Sequence, residues 1–322
     1  MKAISVSAPG GPEALAVVET ANPTPAPGEV IVELAAAGVN YIDTYQREGL
    51  YPMALPFTPG LEGAGTVLEI GEQASGWAVG DRVAWTTQIG SYAQRVAVAA
   101  DKLVAVPGSV PLETAAAVML QGVTAHYLAT DTYPLGGGDR CLIHAGAGGV
   151  GLLLIQIAKR RGAEVFTTVS TQDKAALAAA AGADHVIRYD QRDFADAVTE
   201  LAGDRPLHVV YDGVGAATFD RGLTVLRRRG TLVLFGQASG PVPPVNLQVL
   251  AANGSLFTTR PTMGDYIATP AELTSRTDDL FSWIAAGELD VRVGQTWPLE
   301  EAGDAHRALE ARLTTGKTLL LA

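Results

Sequence analysis

Between residues 141 and 235, short apolar runs alternate with stretches of helical period, and the repetition defines an architecture. The run Cys141-Leu-Ile-His144 leads into Ala-Gly146-Ala-Gly148-Gly-Val-Gly151. A helix is predicted over 151–161, with Gly162 just past it, followed by an apolar run over Val165–Val169. Lys174–Ala181 is a second helical stretch, stopping at Gly182 before Val186–Tyr189. Phe194–Leu201 leads to His208–Tyr211, and Phe219–Arg228, then Gly230, leads to Leu232–Phe235. Glycine just past a helix suits the left-handed C-cap. Short apolar runs between helices of about ten residues imply parallel strands covered on both faces. The middle of the chain is therefore expected to be α/β, a doubly wound parallel sheet of Rossmann type.

The flanks have a different rhythm. Before residue 110, the runs Glu29–Leu34, Gly65–Ile70, Arg82–Trp85 and Gln94–Val98 are separated by Gly and Pro, the pattern of a compact antiparallel, barrel-like domain. Pro111–Tyr127 is helical in period and links the two regions. After the proline-rich crossing Gly240-Pro-Val-Pro-Pro244 comes a strand-like Leu256–Thr259, then helices over Ala271–Ala286 and Glu300–Leu313. The last run, Thr318–Leu321, has no sheet partner nearby in sequence, so it is expected to return to the N-terminal domain. The boundaries drawn from this are 1–122 with 262–322 for the barrel-like part and 123–261 for the Rossmann part.

The Gly146-x-Gly148-x-x-Gly151 turn carries the clearest chemistry. Gly146 is expected to allow the turn, and Gly148 to let backbone approach a phosphate. Gly151 lets helix and strand close together, while the open helix N-terminus offers amides and partial positive charge to a dinucleotide pyrophosphate. A glycine-rich turn alone is also a common structural device; the strand before it and the helix after it favour the nucleotide reading.

Composition narrows the classes. At 322 residues, with 48% hydrophobic and 18% charged residues, the chain suits two compact domains. A net charge of −11 argues against nucleic acid as the main partner, because phosphate binding needs a basic face. No run approaches the roughly 18 apolar residues of a membrane span, and no secretory signal is evident, so a cytoplasmic protein is expected. Cys141, the one cysteine, falls in a predicted buried strand and reads as a core residue.

An N-terminal barrel, an inserted Rossmann unit and a C-terminal return together resemble the medium-chain dehydrogenases/reductases, in which the barrel is the GroES-like domain. Within that superfamily the chain closely resembles the zinc-free quinone oxidoreductases of the ζ-crystallin type. The matching segments are Gly10-Gly-Pro-Glu13, Gly38-Val-Asn-Tyr-Ile-Asp-Thr-Tyr45, Gly49-Leu-Tyr-Pro52, His144 to Gly151, Val209-Val-Tyr-Asp-Gly-Val-Gly215, Phe235-Gly236 and Thr259-Arg-Pro261. Zinc members carry a cysteine at the position of Asn40, and Gly-His-Glu where this chain has Gly60-Leu61-Glu62. The five histidines (126, 144, 185, 208, 306) have no metal-ligand spacing, so no metal is expected. Glu62 reads as framework, and His144 as the end of the first Rossmann strand.

A site without zinc does best with an acceptor that is already electrophilic. Hydride addition to a quinone or an enone puts negative charge on a conjugated oxygen, which needs placement, dryness and a hydrogen-bond donor. Asn40 and Tyr45 are the candidates for that polar wall; Tyr45 either donates or only shapes the pocket. The expected activity is NADPH-dependent quinone reduction, with enone or enoyl reduction as the rival. A non-catalytic crystallin-like or RNA-binding role is the rival of another class.

The strand that would carry an NAD-selecting carboxylate ends instead in Val169-Ser170-Thr171, with Lys174 four residues past Ser170. Small hydroxyls and a cation suit a 2′-phosphate, hence NADPH; a solvated lysine is the plain alternative, and Asp173 is an inconvenient neighbour. The resemblance adds Tyr189 and Arg312 on the phosphate side. It implies Tyr41, Ile42, Asp43, Thr44, Tyr45 and Tyr127 along the nicotinamide end, and Gly149 and Val150 under the pyrophosphate. Gly213, Phe235, Gly236, Gln237, Ala238, Thr259, Arg260 and Pro261 would close over the cofactor. Two departures from relatives bear on acceptor preference: Gln121-Gly122 where some have Lys-Gly, and His126 in place of an aromatic. Family members are commonly dimers or tetramers, so a homodimer or homotetramer is expected, with Leu256–Thr259 an edge that could pair across a two-fold.

Overall fold

The computed structural model describes all 322 residues, and the chain divides into two compact units, Met1–Val123 with Ile267–Ala322, and Thr124–Tyr266. No helix is long and apolar enough to cross a membrane.

The first unit is built on antiparallel strands. A hairpin-like pair, β1 (Lys2–Ser5) and β2 (Ala16–Glu19), stands apart. The larger sheet begins with β3 (Glu29–Val39), which pairs antiparallel with β4 (Glu62–Ile70) and β6 (Arg95–Ala99). Next to β4 come β5 (Arg82–Thr86) and β7 (Leu103–Ala105). Register shifts at Ile31/Val32 and Leu34/Ala36 bend the long strand, as bulges do, so that one strand serves three partners. Its inward residues Val30, Val32 and Leu34 meet Val67, Val83, Trp85 and Tyr92 in one core. Helix α1 (Tyr41–Arg47) follows β3 directly, and α2 (Leu112–Tyr127) ends the N-terminal segment. Residues 128–132 continue α2 as a π-helical turn that sequence periodicity did not indicate.

The second unit holds six parallel strands, β8 (Arg140–Ile143), β9 (Glu164–Val169), β10 (His185–Arg188), β11 (Leu207–Asp212), β12 (Leu226–Leu234) and β13 (Phe257–Thr259). Their spatial order is β10-β9-β8-β11-β12-β13. That is the Rossmann order, with the reversal between β8 and β11, where such sheets bind ligands. The helices are α3 (Gly149–Arg160), α4 (Gln172–Ala180), α5 (Phe194–Ala202), α6 (Phe219–Thr224), α7 (Gln248–Ala252) and α8 (Met263–Tyr266). Gly162 and Gly182 lie just past α3 and α4 with φ of 81° and 105°, the expected left-handed caps. Gly230 differs: α6 stops at Thr224, and Gly230 lies inside β12. There the ladder jumps from Leu207↔Leu226 to Val209↔Thr231, so Arg227–Gly230 is a bulge in a strand and not the end of a helix. Cys141 is buried in β8, and burial pushes its thiol pKa up.

The chain then returns to the first unit through α9 (Pro270–Ala285), β14 (Val293–Pro298), α10 (Ala302–Glu310) and β15 (Lys317–Leu321). β15 pairs antiparallel with β3, the expected return, but it also has a neighbour in sequence that was not foreseen: β14 runs parallel to it. The β14 segment Val-Gly-Gln-Thr-Trp-Pro is mixed in polarity and carries little strand signal.

Candidate functional site

At the nucleotide turn the structure reassigns one glycine. The residue with left-handed backbone is Ala145, φ 55°, and not Gly146. Gly146 is needed for a different reason: a Cβ there would overlap Thr167 of the adjacent strand. Gly151 is where close packing was expected, since its Cβ would lie 2.8 Å from the Gly146 Cα. His144 does more than end its strand. Its Nδ1 is 3.0 Å from Thr168 Oγ1, which also receives the Ala145 amide at 3.3 Å, so the pair holds the turn in place. Burial lowers the His144 pKa and keeps it neutral.

Helix α3 starts at Gly148 with no side-chain cap. By contrast α4 is capped by Thr171, α5 by Asp193 and α9 by Thr269. The leading amides of α3, at Gly149, Val150 and Gly151, are thus left to an anionic ligand. A pyrophosphate fits this turn. At the reversal point, Asp212 Oδ1 accepts from the Val214 and Gly215 amides at 2.7 and 3.0 Å and from Thr218 Oγ1 at 2.9 Å, fixing the loop that carries Gly213. Arg260 Nη2 donates to Gln237 Oε1 at 3.0 Å, which joins the loop Phe235–Ala238 to Thr259–Pro261.

The ends of β9 and β10 lie side by side. Arg188 pairs with Val169, and the Tyr189 amide donates to Val169 O at 3.1 Å. This brings Ser170, Thr171 and Lys174 near Tyr189, whose ring is 43% exposed. A second cation stands there that sequence reasoning missed: Arg188 grips Asp190 at 2.6 Å and reaches Gln172 Oε1 at 3.4 Å. A basic residue closing the third strand was the available signal. Tyr127 is buried, stacked on Tyr266 at 4.2 Å, so the face of its ring toward Tyr266 is occupied.

Other candidates belong to the first unit. Asn40 caps α1, and Tyr41 to Tyr45 form its first turns. Tyr45 and Ile42 are half-buried, while the Asp43 and Thr44 side chains turn inward. Asp43 therefore has only backbone to offer a cofactor. Tyr41 Oη donates to Leu309 O at 3.0 Å. Arg312 is exposed just past α10, in a left-handed residue with φ 59°. Asn40, expected in the polar wall, is held by other side chains. It is 4% exposed, and its amide faces inward: Nδ2 donates to Glu62 Oε1 at 2.6 Å, and Oδ1 receives Lys317 Nζ at 2.8 Å. Its polar atoms are already committed. Glu62 acts as framework, also receiving Lys317 and, on Oε2, the Leu120 amide at 2.6 Å. This donor set does not suit zinc, because an ammonium already lies against both Glu62 and Asn40.

A buried polar chain behind α1 escaped the sequence. Arg47 Nη1 lies 3.1 Å from His306 Nδ1; because arginine only donates, Nδ1 accepts and Nε2 carries the proton. His306 Nε2 is 3.0 Å from Tyr92 Oη, which donates to Asp43 Oδ2 at 2.9 Å, and the Asn40 amide donates to the same oxygen at 2.8 Å. Burial raises the Asp43 pKa to about 7, against these hydrogen bonds. Burial and the Arg47 charge lower that of His306 to about 3. Without a partner that is distant in sequence, neither residue could be read as more than core or surface.

Two family models match the chain: "Alcohol dehydrogenase GroES-like domain" over residues 26–110 and "Zinc-binding dehydrogenase" over 149–273. A quinone oxidoreductase of Pseudomonas aeruginosa is 46% identical over 322 residues, covering 99% of each chain. The chain belongs to the quinone oxidoreductase family. Its fold matches the crystal structure of Escherichia coli quinone oxidoreductase complexed with NADPH with a TM-score of 0.98, at 43% identity and full coverage of both chains. A 2-haloacrylate reductase of a Burkholderia species is 38% identical over 320 residues, covering 97% of this chain and 96% of its own. The family is that of the medium-chain dehydrogenases/reductases, as the sequence motifs implied, and the GroES-like match lies on the antiparallel unit of this family member.

Proposed function

We propose that the chain is an NADPH-dependent quinone reductase. The observation that carries this is the uncapped amide row at Gly149–Gly151, in a chain similar from end to end to a quinone oxidoreductase crystallised with NADPH. When bound, the reduced nicotinamide supplies a hydride. The chain's own part is to bind, orient and shield. Gly149, Val150 and Gly151 would hold the pyrophosphate through their amides. Ser170, Thr171, Lys174, Tyr189 and Arg312 would take the 2′-phosphate, and no carboxylate closes β9 to select a ribose hydroxyl. Gly213, Phe235–Ala238 and Thr259–Pro261 would cover the cofactor, and Tyr41–Tyr45 with Tyr127 would flank its nicotinamide end.

A quinone is electrophilic before it binds, so the barrier is lowered by placement and by a donor near the oxygen that becomes negative. Tyr45, half-buried on α1, fits the acceptor wall. The second reading is enone reduction, favoured by the likeness to a 2-haloacrylate reductase, since both reactions begin with hydride addition to a conjugated carbon. NADPH oxidation with 1,4-benzoquinone and 9,10-phenanthrenequinone, set against 2-alkenals and 1-alken-3-ones, decides between them. Turnover with quinones and NADPH is expected; turnover on alkenals alone moves the assignment to the second reading.

A second copy of the chain is the proposed partner. β13 is a sheet edge carrying Phe257, 61% exposed, and edge strands pair readily. Sedimentation of the wild type and Phe257→Lys tests this, with a shift to monomer expected in the variant. The net charge of −11 speaks against an RNA-binding role, and the charge and absence of spanning helices favour a cytoplasmic location.

A further inference from the structure

Arg188 closes β10, and in register it stands beside Val169, the last residue of β9. Its guanidinium reaches across to the helix that follows β9. Nη1 donates to Gln172 Oε1, in the first turn of α4, at 3.4 Å. Nε and Nη2 donate to the two Asp190 carboxylate oxygens at 3.1 and 2.6 Å. The Gln191 amide oxygen, turned to face the same group, lies 3.2 Å from Nη1 and Nη2. The guanidinium thus bridges the end of the third Rossmann strand and the start of the helix after the second. That is where the adenosine ribose presents its 2′ substituent, and where an arginine accommodates a 2′-phosphate.

The pair is open to solvent, with side chains 25% and 36% exposed for Arg188 and Asp190. An exposed ion pair adds little to the stability of a fold, so holding β10 in place does not account for it. Its chemistry suits exchange instead. A guanidinium presents the same planar fork to a carboxylate and to a phosphate. Of the three side chains that hold Arg188, Gln172 and Gln191 are neutral amides, which a dianionic phosphate displaces readily. Asp190 is the charged competitor.

Building on the NADPH-dependent reading, we infer that Arg188 selects NADPH over NADH and that Asp190 tunes this selection by competing with the coenzyme's 2′-phosphate for one guanidinium. Arg188 exchanges Asp190 for the phosphate when NADPH binds, and returns to it when NADP⁺ leaves. Asp190 therefore keeps the coenzyme from binding as tightly as the free cation would allow.

The test is fluorescence titration of the full chain with NADPH and with NADH, in wild type, Arg188→Met, Asp190→Asn and Asp173→Asn. Arg188→Met should bind NADPH about tenfold more weakly, with NADH unchanged. Asp190→Asn should bind NADPH about threefold more tightly, again with NADH unchanged, and the gain should shrink as salt is raised. Asp173→Asn removes the same charge beside Lys174 without freeing a guanidinium, so its gain should be smaller than that of Asp190→Asn. Unchanged NADPH affinity in Arg188→Met, equal losses for both coenzymes, or no gain in Asp190→Asn overturns the inference. Equal gains in the two aspartate variants reduce Asp190 to simple repulsion and overturn the competition. A wild type that binds NADPH no better than NADH overturns the NADPH-dependent reading itself, and the inference with it.

Discussion

The two units build their candidate ligand surfaces from different material. In residues 124–266 the work falls to backbone: open amides at Gly149–Gly151, a left-handed Ala145, and close approaches at Gly146 and Gly151 that leave no room for a Cβ. In the other unit it falls to buried side chains, namely Lys317, Glu62 and Asn40 in one group and Asp43, Tyr92, His306 and Arg47 in another. A backbone site depends on the spacing of neighbours in sequence. A side-chain site of this kind depends on groups brought together from opposite ends of the chain, and its stability is tied to charge.

The sharpest way to break this contrast is to remove a buried charge. Lys317→Met leaves the Glu62 carboxylate enclosed and uncompensated, so unfolding in urea should show a loss of about 3–5 kcal/mol. Replacing Glu62 as well, in Lys317→Met/Glu62→Leu, should recover much of it. A single variant as stable as the wild type would mean that the pair is not as dry as its burial implies.

Next in size is a pH effect with two opposed parts. Folded Asp43 holds its proton near pH 7, above its ordinary 3.8, so its contribution to stability is present at low pH and lost as pH rises toward 7. Folded His306 gives up its proton near pH 3, below its ordinary 6.5, so its contribution is present above pH 6.5 and lost as pH falls. Between about pH 4 and 6.5 the two slopes nearly cancel, and wild-type stability should be flat. Asp43→Asn should leave stability rising with pH in that window, and His306→Gln should leave it falling, each at up to about 1.4 kcal/mol per pH unit. Parallel profiles in the two variants would contradict the assignment.

In the backbone region, the effects should fall on binding instead. Gly151→Val pushes a side chain into Ala145 and Gly146, and NADPH affinity by fluorescence titration should drop about a hundredfold. The smallest effect is expected from Lys174→Ala, about tenfold weaker NADPH binding with NADH unchanged. Equal losses for both cofactors would place Lys174 away from the 2′-phosphate.

The same contrast explains what could be read in advance. The Rossmann unit was legible because apolar runs, helix-ending glycines and the Gly146–Gly151 spacing are local signals, each tied to one backbone requirement. Even there the signal gave type better than cause, as with the left-handed residue being Ala145 and Gly230 lying in a bulge. The wall around α1 was not legible. Asn40 and Lys317 are 277 residues apart, and Tyr92 and His306 are 214 apart. Nothing in the Asn40 block says that its amide is already used, nor that a lysine near the C-terminus would use it. Strand β14 was missed for a related reason, since it is paired by β15 and carries no alternation of its own.

The most direct test loads the chain with NADPH in chelator-treated buffer and mixes it with 1,4-benzoquinone in a stopped-flow cell, following absorbance at the reduced nicotinamide band. The account predicts prompt loss of one equivalent of NADPH per chain with no metal added. Bound NADPH that persists until zinc is supplied, or that never reacts, would contradict it.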